Sequence, residues 1–285
     1  MPKTYNELYI ALYQRLRDAG IAAHTLEARL IVAAAAEKTQ EELLRDLHLY
    51  SSDGIESRVN ALAERRLNGE PAAYVTGRWG FYGLDLRITP DVIVPRMDTE
   101  LLVDEARRLL GLRGERARIL DLCTGSGCVG CALAHVLPGS RGVLIDNSPP
   151  ALAVAQENVD ALGLSPRVEC VLADVCADPP PGLGSFDLIA ANPPYIPSGE
   201  IGSLDPSVRD YEPHTALCGG TDGLDFYRAI LDHWIIALRQ SGYLLFEVGE
   251  GQAKDVSLLM RRAGLRGIGT AKDTLGVDRV IFGRL

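Results

Sequence analysis

From about Thr99 onward, short apolar runs alternate with stretches of helical periodicity, and that rhythm restricts the fold more than any other feature of the chain. Strand-like runs fall at Ile119–Leu122, Gly142–Ile145, Val168–Leu172, Leu188–Ala191, Tyr243–Val248 and Val280–Gly283. Helical patterns at 127–136, 149–162, 224–239 and 252–263 separate most of them. Strands that alternate with helices make a largely parallel, doubly wound sheet covered on both faces. Such sheets bind ligands beyond the carboxyl ends of their strands, where the strand order reverses. The loops that follow the apolar runs are therefore the places to search for chemistry.

The first of these loops is Asp121-Leu122-Cys123-Thr124-Gly125-Ser126-Gly127, a strand end running into a Gly-rich turn and then a helix. Glycines there let a ligand approach the backbone closely. An acidic residue is expected at the end of the next strand to hold ribose hydroxyls, and Asp146 stands 19 residues beyond Gly127. Gly125, Gly127 and Gly130 also have the G-x-G-x-x-G spacing that pyrophosphate binders use, so the turn alone is weak evidence for either cofactor class. A Gly-rich turn of this kind also suits S-adenosylmethionine, which has no phosphates. After the third strand, Asp174 is placed either to bond an adenine amine or to cap a turn, and Val175 offers an apolar edge.

The second loop is Asn192-Pro193-Pro194-Tyr195, after the strand Phe186–Ala191. Two prolines fix the backbone and remove two donors, which leaves carbonyls facing outward. The Asn192 side-chain oxygen and the Pro193 carbonyl can each accept one N–H of a planar –NH2 group, with Tyr195 walling in the plane. Methyl transfer to such a nitrogen rests on positioning and exclusion of water, and needs no metal. None of the five histidines lies in either motif. Cys123, Cys128 and Cys131 are accounted for by the loop that contains them, and all six cysteines are expected to be reduced.

The rest of the chain supplies context. Residues 1–70 read as four short amphipathic helices, two of them opened by capping boxes at Thr4-x-x-Glu7 and Thr39-x-x-Glu42. Residues 71–95 read as a β-hairpin linker, and 96–285 as the α/β domain. Residues 196–220 lack periodicity and are expected to form a lid, with Glu212 either anchoring it or touching substrate. Lysine and arginine number 29 against 38 acidic residues, a net charge of −9 that argues against a nucleic-acid substrate. No run is long enough to span a bilayer, and the start has no signal-peptide pattern, so residence in the cytoplasm is expected. The chain is further expected to be a monomer.

With these residues in view, the chain resembles the peptide chain release factor N5-glutamine methyltransferases along nearly its whole length. The family-like stretches are RLNGEPAAYVTG (66–77), FYG (81–83), VIVPRMDTE (92–100), DLCTGSG (121–127), NPPYIP (192–197), YEPHTALCGGTDGLDFYR (211–228) and FEVGEGQ (246–252). The resemblance implies a helical bundle followed by a hairpin and a seven-stranded methyltransferase sheet. It further implies S-adenosylmethionine as methyl donor, S-adenosylhomocysteine as product, no metal, and a class-1 release factor as protein substrate. By position, Cys123, Thr124, Gly125, Ser126 and Gly127 would line the methionine part, Asp146 the ribose, and Val175 the adenine. Asn192, Pro193, Pro194 and Tyr195 would hold the glutamine amide, Asn192 touching both ligands, with Phe81 and Pro95-Arg96 completing the wall. Family members often carry glycine where this chain has Cys123. The alternative acceptors are a glutamine of ribosomal protein L3 and, more remotely, a nucleic-acid base amine. A ligand sensor without catalysis is disfavoured by the intact NPPY.

Overall fold

Thr4 opens the first helix by the device its spacing predicts. Its hydroxyl accepts the Glu7 N–H at 3.2 Å while the Glu7 carboxylate accepts the Thr4 N–H at 2.7 Å. The computed structural model describes residues 2–285, and Met1, where the expected bundle begins, lies outside them. Two compact units appear, Met1–Arg78 with Asp205–Tyr211, and Trp79–Leu204 with Glu212–Leu285.

In the first unit, α1 (Tyr5–Asp18) buries Leu8, Leu12 and Leu16, one face of a 3.6-residue period. Helix α2 (His24–Ala35) buries Ala28, Ile31 and Val32 against it. Helix α3 (Gln40–Asp46) starts with the second capping box, at Thr39 and Glu42. Helix α4 (Ile55–Leu67) follows a left-handed Gly54 and buries Ile55, Val59 and Ala63, with Leu62 only partly covered. A fifth helix, α5 (Ala72–Thr76), occupies the start of the segment read as hairpin. Pro71 precedes it, where the missing N–H costs a helix nothing. Asp205–Tyr211 joins this unit, and the Tyr211 hydroxyl donates to the Asn68 carbonyl at 2.8 Å.

The hairpin is confined to β1 (Arg78–Phe81) and β2 (Leu84–Arg87). Its turn residues, Tyr82 and Gly83, both have positive φ, as a tight two-residue turn demands. Then come α6 (Glu100–Leu110), β3 (Arg118–Leu122), α7 (Cys128–Val136), β4 (Arg141–Asp146), α8 (Pro149–Ala161), β5 (Val168–Leu172) and β6 (Phe186–Ala191). They are followed by α9 (Pro206–Arg209), α10 (Asp225–Ala229), β7 (Leu238–Glu247), α11 (Ala253–Arg262), β8 (Arg266–Lys272) and β9 (Asp278–Arg284). The sheet runs β5-β4-β3-β6-β7-β9-β8. Strands β3 to β7 pair in parallel, while β9 is antiparallel to both β7 and β8. Because the chain moves outward from β3 to β5 and then returns to β6 on the other side, the order reverses at β3. That puts a ligand crevice beyond Leu122, Asp146 and Ala191.

The helix expected at 224–239 is broken. Beyond α10 the backbone widens into a π turn at Ile230–Trp234 and tightens at Ile235–Ala237 before β7 begins. Buried Trp234 anchors the irregular stretch, its Nε1 donating to the Ala177 carbonyl at 3.0 Å. Among the described residues, no helix is long and apolar enough to cross a membrane.

Candidate active site

The Gly-rich turn is built around a buried carboxylate that the sequence reading did not single out. Asp121 Oδ2 accepts the Thr124 hydroxyl at 2.5 Å and the Gly130 N–H at 2.9 Å, tying the turn to the first turn of α7. Burial pushes its pKa up to about 7, against the lowering effect of these two bonds. Cys123 and Gly125 take positive φ of 56° and 54°, and a Cβ at Gly125 would meet nothing within 4 Å. Asp146 faces the same space from the end of β4. Its Oδ2 accepts the Gly125 N–H at 2.9 Å and its Oδ1 the Ser148 N–H at 3.0 Å, which fixes the carboxylate beside the turn. Burial raises the Asp146 pKa, with the backbone bonds opposing it.

A cavity of about 700 Å³ opens here, lined among others by Cys123, Gly125, Asp146, Val175, Asn192 and Pro194. Its size lies within the roughly 300–1,000 Å³ of pockets that enclose small molecules. The open backbone at Gly125, the fixed Asp146 carboxylate and the apolar Val175 edge fit S-adenosylmethionine. Thr124 and Ser126 are buried and lie outside the lining, and Gly127 packs on Ala155 and Leu144. Asp174 is exposed, and its Oδ1 accepts the Cys176 N–H at 2.9 Å in a local turn. Burial pushes the Cys128 thiol up to about 12 and raises that of Cys131, so both stay protonated. Among the described residues no cluster of His, Cys, Asp or Glu is arranged to hold a metal ion.

The acceptor loop leaves β6 at the same rim. Asn192 and Pro194 line the cavity, Pro193 is buried, and the half-buried Tyr195 ring packs on the sheet core. Gln252 clamps this loop: its Nε2 donates to the Tyr195 carbonyl at 2.9 Å while its Oε1 accepts the Gly249 N–H at 2.9 Å. A Cβ at Gly223 would stand 2.3 Å from the Tyr195 carbonyl oxygen, so glycine is required for the close approach. Behind Asn192 lies Glu247, 3% exposed, at the end of β7.

Glu212 anchors its loop, the first of the two roles open to it. Its buried carboxylate accepts Arg96 Nη2 at 2.5 Å. The chain just beyond, Pro213–Ala216 and Cys218, forms one cavity wall, and Pro90–Ile93 contributes another. Phe81 is buried in β1 and, like Arg96, lies outside the lining. Glu247 and Gln252 escaped the sequence reading as site residues. The signal was present: FEVGEGQ spans the carboxyl end of an apolar strand, where ligand loops belong.

Two family models match the chain, a PrmC N-terminal domain over residues 7–77 and a methyltransferase small domain over 97–202. Release factor glutamine methyltransferase of Geobacter sulfurreducens is 38% identical over 95% of this chain and 93% of that protein. The protein of the same name from Caulobacter vibrioides is 37% identical over 99% of this chain and 97% of its own length. A solved methyltransferase from Pyrococcus furiosus shares the fold at a TM-score of 0.53 and 17% identity, covering 78% of this chain and 96% of that one.

Proposed function

This chain belongs to the release factor glutamine methyltransferase family, and from that premise we propose that it methylates the N5 amide nitrogen of the glutamine in the Gly-Gly-Gln loop of class-1 peptide chain release factors. S-adenosylmethionine, when bound, supplies an electrophilic methyl group. Cys123 and Gly125 border its methionine part, Asp146 accepts the ribose hydroxyls, and Val175 flanks the adenine. Asn192 Oδ1 and the Pro193 carbonyl each accept one N–H of the glutamine amide, which holds the nitrogen in plane. Both acceptors also face the positive charge that grows on nitrogen as it is alkylated, and need no reorganisation to stabilise it. Pro194 and Tyr195 exclude water. An amide is a poor nucleophile, so positioning supplies most of the acceleration. Residues 1–70 recognise the protein substrate, 71–95 link, and 96–285 carry the chemistry of a cytoplasmic monomer that uses no metal.

The observation that carries this reading is that Asp146, Asn192 and Pro194 line one cavity, so donor and acceptor share a single space. The test offers methyl-labelled S-adenosylmethionine together with a release factor, its Gly-Gly-Ala variant, ribosomal protein L3, or nucleic acid. Label on the release-factor glutamine alone, located by mass spectrometry, is the expected result. Label confined to L3 or to a base would overturn the assigned acceptor.

A further inference from the structure

A side-chain amide has two ends of nearly equal shape, and the proposed chemistry uses only one of them. Asn192 must present Oδ1 to the cavity, because an NH2 group there would oppose the N–H of the substrate amide. Something behind the residue has to choose the orientation.

Strands β6 and β7 pair in register, Ala191 opposite Phe246, so Asn192 and Glu247 leave the sheet side by side. Thr99, 1% exposed, stands with them at the entry to α6. Asn192 Nδ2 donates to Thr99 Oγ1 at 3.4 Å. The Thr99 hydroxyl and the Asn192 amide both neighbour the Glu247 carboxylate, whose buried Oε2 has no hydrogen-bond partner. The Tyr227 hydroxyl holds the Glu247 backbone carbonyl at 2.8 Å. A carboxyl oxygen that carries no proton only accepts, whether or not the other oxygen is protonated. A hydroxyl that gives its single proton to Glu247 has only lone pairs left, so the end of Asn192 facing Thr99 must be the N–H end.

Resting on the acceptor reading above, we infer that Glu247 is a positioning residue: through Thr99 it sets the orientation of the Asn192 amide and so aims Oδ1 at the substrate nitrogen. Glu247 touches neither ligand. Its whole effect passes through Asn192, and each bond in the chain polarises the next.

The test uses the full-length protein saturated with S-adenosylhomocysteine, so that it does not depend on the acceptor. The side-chain NH2 signal of Asn192 is assigned by its loss in Asn192→Ala. The wild type and Thr99→Ser should show one amide proton shifted downfield by hydrogen bonding, and Glu247→Leu and Thr99→Val should lose that shift. A signal identical in wild type and Thr99→Val overturns the proposal, and Thr99→Val keeps the test decisive if Glu247→Leu does not fold. In methyl transfer to a release factor, both variants should lower kcat on the order of 10²-fold, the scale of a misplaced reacting group, with cofactor affinity unchanged. A parallel loss of cofactor affinity would reduce Glu247 to a merely structural role and overturn the proposal. Should the wild type leave release factors unmethylated yet show the shifted proton, the acceptor assignment fails and the positioning role stands.

Discussion

Cys123 concentrates the conflict between backbone and side chain in one residue. Its φ of +56° lies where a Cβ crowds the neighbouring carbonyl, and it borders the cavity floor. Glycine at this position would relieve that crowding. A small unbranched thiol tolerates the strain, whereas a β-branched side chain does not. Cys123→Gly is expected to match or exceed the wild type in stability, and Cys123→Val to lose about 1–3 kcal/mol in urea unfolding. Equal stability of the three would mean that the loop relaxes and no strain is held there. The thiol is not needed for reactivity, since burial and the neighbouring Asp146 and Asp121 raise its pKa.

At the scale of elements, the wall Pro213–Cys218 is tied to the site by the ion pair of Arg96 with Glu212 and by the Ile196 N–H, which donates to the Leu217 carbonyl at 3.0 Å. The carboxylate is 1% exposed and the guanidinium 44%, so their attraction is partly screened by solvent. Arg96→Ala leaves the buried acid without its counter-charge. We expect a loss of about 1–3 kcal/mol and faster amide hydrogen exchange across residues 213–218. Unchanged exchange there would show that other contacts hold the wall. This pairing also marks where the sequence stops being legible. Capping boxes and apolar periods are local signals, so α1 to α4 and six of the seven sheet strands were readable from spacing. Strand β8 was not, because Gly267 and Gly269 interrupt it, and at Gly269 a Cβ would stand 2.5 Å from the Phe282 ring. Helix α6 went unread between the linker and the first strand run. The break after α10 contains the buried Trp234, whose bond to the Ala177 carbonyl no window of residues 224–239 reveals. Asp146 and Asn192 were visible because each follows an apolar run. Glu247, Thr99 and Gln252 meet their neighbours only through tertiary contacts, set by the β6–β7 register and by the Gln252 bond to the Tyr195 carbonyl.

Across the whole molecule, building the site has buried the carboxylates of Asp121, Glu212 and Glu247, and the first and last of these are shifted furthest. Asp121 under the cofactor turn and Glu247 behind the acceptor loop are 2% and 3% exposed, and burial pushes each up to about 7 from 3.8 and 4.5. A folded-state pKa above the unfolded value means that the native chain keeps a proton the unfolded chain has released. Stability from these two groups is therefore full below about pH 4 and is lost as pH rises towards 7. The ion-paired acids run the opposite way: Asp46 and Asp222 are lowered to about 2 by their basic partners and release their contribution only in stronger acid. Between pH 5 and 8 the buried pair should dominate, so the thermal midpoint should fall across that interval. Asp121→Asn isolates the cause. An amide oxygen can accept both the Thr124 hydroxyl and the Gly130 N–H that now converge on Oδ2, so the turn keeps its bonds and loses only the titration. Differential scanning calorimetry at several pH values should show a shallower decline in the variant. A wild type with a flat midpoint, or a variant with an equal slope, would mean that both carboxylates ionise without cost and that the site is more hydrated than its burial implies.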